Sequence, residues 1–255
     1  MHIPAGYRMR ARSRRGVLHL DGAAADSCVR VPDHLALRFS DRFSMFFLWR
    51  ADVAGDAGFA AGRLNGSTGG GWGMYNAVSG IYAGTSISGL SGGAITQSGA
   101  QPVYRAEQNR WHAYGSSYDA TPSSGNRRSR IYLDGILAQS SDTQASTIPA
   151  VASIDFLIGN RAGAGTADNA WLGGCYADLK VYNRILTQDE MIRLQCGLSI
   201  DTTGLVIDMP LDQTEGDAIN GGVAGVGNGL LQGTAVWYSA TSYAGLMPHQ
   251  MRAWA

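Results

Sequence analysis

Between Leu18 and Met191 the chain passes through strand-and-turn phrases in a fixed order, opening with LHLDG and closing with VYNRILTQDEM. Short apolar alternations separated by turn residues specify a β-sandwich, whose strands pair across large sequence distances to enclose one core. Glycine fills 35 of the 255 positions and charged residues only 16%, which suits many tight turns and leaves little material for helix. A chain of this length fits one large all-β domain with appendages.

The first phrase, VLHLDG after Gly16, alternates into a short strand that ends at Asp21–Gly22, and CVRVP follows with Val29 and Val31 on one face and Arg30 on the other. FSMFFLW places Phe43, Met45, Phe47 and Trp49 on one face and Phe46 and Leu48 on the other, so both faces are covered and the strand is central. From Ala54 to Ala100 the chain is Gly/Ser-rich, with the pulses WGMYNAV and GIYAGTSI as short strands. WHAYGSSYDA, RIYLDGILA, FLIGN and YADLKVYN supply further strands. Asp134–Gly135 is the preferred pair for a two-residue hairpin turn with positive φ. In YADLKVYN the alternation puts Ala177, Leu179 and Val181 on one face.

One helix is predicted, Gln188–Cys196. Thr187 and Glu190 form a capping box, Leu186 and Met191 a hydrophobic staple, and Gly197 a stop. A helix this short is marginal alone and must dock Met191, Ile192 and Leu194 on the sandwich.

In this order, LDG, VRVP, FSMFFLW, WHAYGSSYDA, IYLDG, LIGN and ADLKVYNRILTQDEM resemble the laminin G-like jelly roll of the concanavalin A-like lectin/glucanase superfamily, over roughly residues 17 to 197. The resemblance implies an all-β jelly-roll sandwich with one short helix and extended termini. Chain organisation follows from it: an Arg-rich arm at 1–15, the jelly roll at 16–197, closing or partner-contacting strands at 198–238 and an apolar tail at 239–255. The family often binds calcium through two acidic residues in its last strand. Here the first of these positions is Ala177 and Asp178 remains, so Asp21 and Asp178 are the calcium candidates that the resemblance leaves, with turn and surface roles as the alternative. The family's WHH phrase is Trp111, His112, Ala113. No other cofactor is expected.

Composition narrows the partners. Twenty basic and twenty acidic residues balance, so no net field steers the chain to nucleic acid or an anionic membrane. Only Lys180 is lysine; the other basic residues are guanidinium groups suited to bidentate contacts. Cys28, Cys175 and Cys196 are odd in number and lack metal-ligand spacing, which predicts buried free thiols. The absence of a long apolar run and of a secretory leader predicts folding in a cytoplasm.

Chemistry is harder to find. A retaining glycosidase needs two carboxyl groups about 5 Å apart on one strand face, and Glu107, Glu190 and Glu215 make no such pair. His2, His19, His34, His112 and His249 have no neighbouring nucleophile in any recognisable motif, so no catalytic residue is assigned and no enzyme is expected.

The arm carries Arg8, Arg10, Arg12, Arg14 and Arg15 with no acidic residue among them. A solvated tail is the ordinary fate of such a segment, and a clasp on a neighbouring subunit is the functional one. The segment 204–237 resembles a phrase that usually precedes the domain and here reads as a closing strand or a strand added to a neighbour. Leu246, Met247, Met251 and Trp254 either dock on a neighbour or fold back. Arm, apolar tail, missing leader and missing chemistry together predict a non-enzymatic virion component, such as a phage capsid decoration, head-fibre or tail-associated subunit. Its partners would be other protein subunits, as a homo-oligomer or with capsid and tail proteins. The alternative is a lectin module binding surface glycans through a groove of Trp72, Tyr75, Asn76 and Tyr82 with Asn160 and Asn169.

Overall fold

The computed structural model describes residues 16–22, 27–52, 58–64, 71–77, 80–85, 110–121, 129–141, 153–160, 172–223 and 225–239. In chain order the strands are β1 (Gly16–Leu20), β2 (Cys28–Val31), β3 (Arg42–Arg50), β4 (Gly58–Leu64), β5 (Gly71–Ala77), β6 (Gly80–Thr85) and β7 (Trp111–Asp119). They continue with β8 (Ser129–Leu133), β9 (Ile136–Ser141), β10 (Phe156–Ile158), β11 (Gly174–Tyr182), β12 (Leu205–Met209), β13 (Leu230–Gln232) and β14 (Val236–Ser239). A helix, α1 (Gln188–Gln195), separates β11 from β12.

Two antiparallel sheets stack face to face. The eight-stranded sheet runs β14-β1-β11-β3-β7-β8-β9, with β12 also paired to β11, and the six-stranded sheet runs β13-β2-β10-β4-β5-β6. Strand β3 lies centrally and forms nine consecutive pairs with β7. Its alternation partitions two cores: Phe43, Met45, Phe47 and Trp49 face the space between the sheets, while Phe46 and Leu48 face outward toward α1. The outward cluster also takes Val17, Tyr182, Leu186, Met191 and Leu194. Gly115 leaves the room that Met191 fills, since a Cβ there would stand 2.7 Å from its Sδ.

Strand β11 departs from the sequence reading. Leu179 and Val181 face the inner core, but Ala177 faces outward, because a β-bulge between Ala177 and Lys180 inserts one residue and reverses the alternation. The inserted residue is Asp178, at φ +49, whose N–H donates to the Pro210 carbonyl at 2.9 Å. On the edge of β11 away from β3, β1 pairs before the bulge and β12 after it.

The turn and cap chemistry act as expected. Asp134 and Gly135 have φ of +49 and +73 between β8 and β9. The Thr187 hydroxyl accepts from the Glu190 N–H while the Glu190 carboxylate accepts from the Thr187 N–H. Cys28, Cys175 and Cys196 are free and buried. The stretch after 197 supplies strands to both sheets: β14 pairs β1, β12 pairs β11 and β13 pairs β2. Among the described residues no helix is long and apolar enough to cross a membrane.

Candidate functional site

A concave feature of the described surface opens on the outer face of the eight-stranded sheet, beside the C-terminal end of α1. Strands β3, β11 and β12 form its floor through Phe46, Lys180, Tyr182 and Asp208, and Leu194, Leu198 and Ile200 stand along its wall. Its volume is about 140 Å³. Strand register explains the floor: Lys180 lies opposite Asp208 and Tyr182 opposite Leu205 across β11 and β12, and Phe46 lies opposite Lys180 across β3. The ammonium of Lys180 donates to Asp208, whose own N–H is held by Asn220 Oδ1 at 2.9 Å.

Tyr182 gives the cleft its polar depth. The residue is 1% exposed and lines the cleft, yet its hydroxyl makes no hydrogen bond to any described residue. Burial first, and the nearby Asp208 carboxylate second, push its phenol up to about 12, so it remains a neutral donor at any ordinary pH. Arg184 lies 5.2 Å above its ring and is itself held by a two-point contact to Glu190 at 2.6 and 3.1 Å. Asp178, on the positive-φ bulge, completes the rim. A phenol hydroxyl open to the cleft, an ion pair and apolar walls converge on a space of about 140 Å³. This is the usual make-up of a small-molecule site, a mainly apolar concavity with a few placed polar groups.

The residues singled out from sequence are distributed otherwise. Trp72 is a correction: it is 1% exposed, its indole N–H donates to the Leu37 carbonyl at 3.2 Å, and its ring packs against Phe39, Phe43 and Phe156. It fills the core and lines no groove, because β5 turns that face toward the opposite sheet. Tyr75 and Tyr82 are cross-strand partners of β5 and β6, and Asn76 lies opposite Ile81. Asn160 lies just after β10, which β4 separates from β5. Asn169, the arm arginines Arg8, Arg10, Arg12, Arg14 and Arg15, and the tail after Ser239 lie outside the described residues. The calcium pair is also corrected. Extending the β1–β11 register, Asp21 lies opposite position 173 and Asp178 opposite Gly16. Five residues of strand, about 16 Å, therefore separate them, and one ion cannot span that distance. No cluster of three or more acidic, His or Cys side chains suited to a metal occurs among the described residues.

Two polar groupings escaped sequence reasoning. His112, buried, meets the Asp134 carboxylate through Nδ1 at 2.9 Å, and the other carboxylate oxygen accepts from the Ala113 N–H at 3.0 Å. Burial alone would raise Asp134, but the His112 and Ala113 contacts hold it below the usual carboxylate range. On the outer face, His19, Cys175 and Arg50 lie in register across β1, β11 and β3. Asp52 joins His19 Nε2 at 2.6 Å to Arg50 at 3.0 Å, and Tyr238 stacks on His19 at 4.6 Å. These partners are 33 and 219 residues from His19 in sequence, and no spacing rule connects them.

Against known proteins, the profile of the Laminin_G_3 family, described as the concanavalin A-like lectin/glucanases superfamily, matches residues 21–191, two thirds of the chain. The chain belongs to this superfamily. No curated protein matches the sequence. Among solved structures, this superfamily member is similar to a Bacteroides ovatus protein described as a candidate carbohydrate binding protein, at 16% identity and a TM-score of 0.59. That alignment covers 89% of this chain and 60% of the other, so the chain spans less than two thirds of that protein's length. Domain 4 of an extracellular arabinanase from Geobacillus stearothermophilus, in complex with arabinotriose, aligns over 65% of this chain and 71% of its own at 16% identity. Domains LG4-5 of the mouse laminin alpha1 chain align over 74% and 48% at 12% identity. Their TM-scores are both 0.44. At these identities the likeness shows the fold, and this member's jelly roll is a mostly-β sandwich of two antiparallel sheets with one short helix.

Proposed function

We propose that this superfamily member is a carbohydrate-binding module that does not cleave its ligand. The observation that carries the reading is the outer-face cleft, where Tyr182, the Lys180–Asp208 pair and apolar walls meet on a space of about 140 Å³. A sugar ring presents hydroxyl donors and acceptors around its rim and C–H groups on its faces, and both halves of that surface find counterparts here. The volume suits one terminal sugar unit and not a long polysaccharide.

The non-catalytic part of the reading is supported by how five of the described acidic groups are engaged. Glu190 is held by Arg184 and the helix cap, Asp134 by His112, Asp52 by His19 and Arg50, Asp33 by Arg38 and Arg63, and Asp208 by Lys180. A glycosidase acid must carry a proton, and a cationic partner favours the ionised form. Two of the features behind the virion reading, the arm and the tail, lie outside the described residues, and nothing in the comparisons points to a virion subunit.

A glycan-array screen of the full chain tests the proposal, repeated with calcium and with chelator and with the Tyr182→Phe variant. Binding to a defined class of terminal sugar, unchanged by chelator and weakened in the variant, is the expected result. Silence of the array under every condition overturns it.

A further inference from the structure

The wall of the cleft is ordered by side chains and not by a strand ladder. Residues 198–204 lie between α1 and β12 and belong to no helix or strand, yet Leu198, Ser199, Ile200 and Thr202 line the concavity. Backbone outside regular structure must find partners for its carbonyls elsewhere. Two guanidinium groups supply them here. Arg193, in the last turn of α1, donates to the Ser199 carbonyl through Nε at 3.3 Å and Nη2 at 3.0 Å, and its own carbonyl accepts from the Leu198 N–H at 2.8 Å. Arg184 donates through Nη2 to the Asp201 carbonyl at 2.9 Å and through Nε to the Thr203 carbonyl at 2.8 Å. The carbonyls of 199, 201 and 203 are therefore all taken by arginines, and neither arginine is among the residues that line the cleft.

Building on the carbohydrate-binding reading above, we propose that Arg193 and Arg184 are the positioning residues of the cleft: they touch no ligand and set its shape by clamping the strap 198–204 from outside. A wall fixed before the ligand arrives needs no ordering on binding, and that favours affinity. The two clamps carry different loads. Arg184 also holds Glu190 of the helix cap and lies over the Tyr182 ring, so its loss reaches into the fold. The Arg193 guanidinium meets the Ser199 carbonyl alone among the described residues. Affinity and stability therefore separate at Arg193. Its planar fork brings two N–H groups to one carbonyl, whereas a lysine would bring a single point donor.

The test compares the full chain with Arg193→Ala and Arg193→Lys. Amide hydrogen exchange at Leu198, Thr203 and Leu205, whose N–H groups donate to the Arg193 carbonyl, Asp201 Oδ1 and the Thr202 carbonyl, reports on the strap without any ligand. Titration with the methyl glycosides of glucose, galactose, mannose and arabinose reports on binding. Lys180 is the only lysine of the chain, so reductive methylation with a carbon-13 reagent labels one side-chain amine at the floor of the cleft and shows whether a glycoside sits there. In Arg193→Ala the melting temperature should hold, exchange at the three amides should quicken, and the glycoside that moves the Lys180 resonance should bind about three- to tenfold more weakly, the worth of one hydrogen bond. Arg193→Lys should recover part of both effects. Exchange left unchanged in Arg193→Ala overturns the inference whatever the affinity. So does faster exchange with unchanged affinity, which detaches the wall from binding and keeps the broader reading. A melting temperature that falls together with affinity, unrecovered by lysine, also overturns it, since Arg193 then serves the fold and not the cleft. If neither this panel nor the glycan array registers any saccharide, the carbohydrate-binding reading fails and the inference with it.

Discussion

Tyr182 and Trp49 are both nine-tenths buried or more, and they respond oppositely to loss of their polar atoms. The Trp49 indole N–H donates to the Gly173 carbonyl at 3.1 Å and its ring meets Tyr114 and Tyr176 at 5.5 and 6.3 Å. Trp49→Ala should lower the unfolding free energy by about 3–5 kcal/mol, seen as a reduced denaturant midpoint. Tyr182→Phe removes a hydroxyl that opens on the cleft, so the melting temperature should hold while ligand binding falls. Acid acts on a different set. Burial raises Asp33, Asp52 and Asp134, but the combined hydrogen bonds and charges of Arg38 and Arg63, of His19 and Arg50, and of His112 with the Ala113 N–H and Arg110 outweigh it and leave all three below their ordinary value of 3.8. The stability they contribute is complete above about pH 4 and is lost as pH falls through their lower folded values. Denaturant midpoints measured across pH should therefore decline on the acid side, and Asp134→Asn should flatten part of that decline. At this scale Trp49 was legible, because a run of large apolar residues can only be buried. The His112–Asp134 contact was not, because Asp134 already had a sufficient reason to exist in its turn.

Helix α1 is held by local chemistry that a sequence displays openly. Thr187→Ala removes one half of the capping box and should cost about 1 kcal/mol. The hairpin between β8 and β9 presses on the same helix. A Cβ at Gly135 would come within 2.8 Å of both Gln195 Oε1 and Ile192 Cγ1 from a residue at φ +73. Gly135→Ala should therefore destabilise by about 1–2 kcal/mol or more, visible in thermal melts. Strand β11 shows where the pattern stops being readable. A bulge is usually announced by glycine, and here the left-handed position belongs to Asp178, so period-2 alternation ran through it and misplaced Ala177. The same bulge hands the edge of β11 from β1 to β12 and brings Asp178 to the cleft. The cleft was invisible in the sequence for that reason: its floor joins β3, β11 and β12, and its wall is the irregular stretch after α1.

For the molecule as a whole, the family-like order of phrases ends near residue 197, and the family profile ends at 191, but the fold continues beyond both. Strands β12, β13 and β14 complete the sheets, and Met209 and Ile207 lie in the inner core. A chain cut after Gly197 loses those core residues and leaves β1 and β2 each with one open edge, so it should fail to give a cooperative melt, whereas the full chain should give one. The sandwich class was legible because both faces of β3 demanded cover. The contribution of the last strands was less so, since β13 and β14 are three and four residues long and largely half-exposed. Their placement has a consequence in time. Strand β1 sits between β11 and β14, so its second neighbour arrives 216 residues after Leu20 (236 − 20). At roughly 5–20 residues per second of synthesis, β1 waits about 10–40 s beside the ribosome with an open edge. For that interval the nascent chain is a template for any extended segment nearby, and its yield in a cell depends on what shields Val17 and Leu18 until β14 closes over that edge.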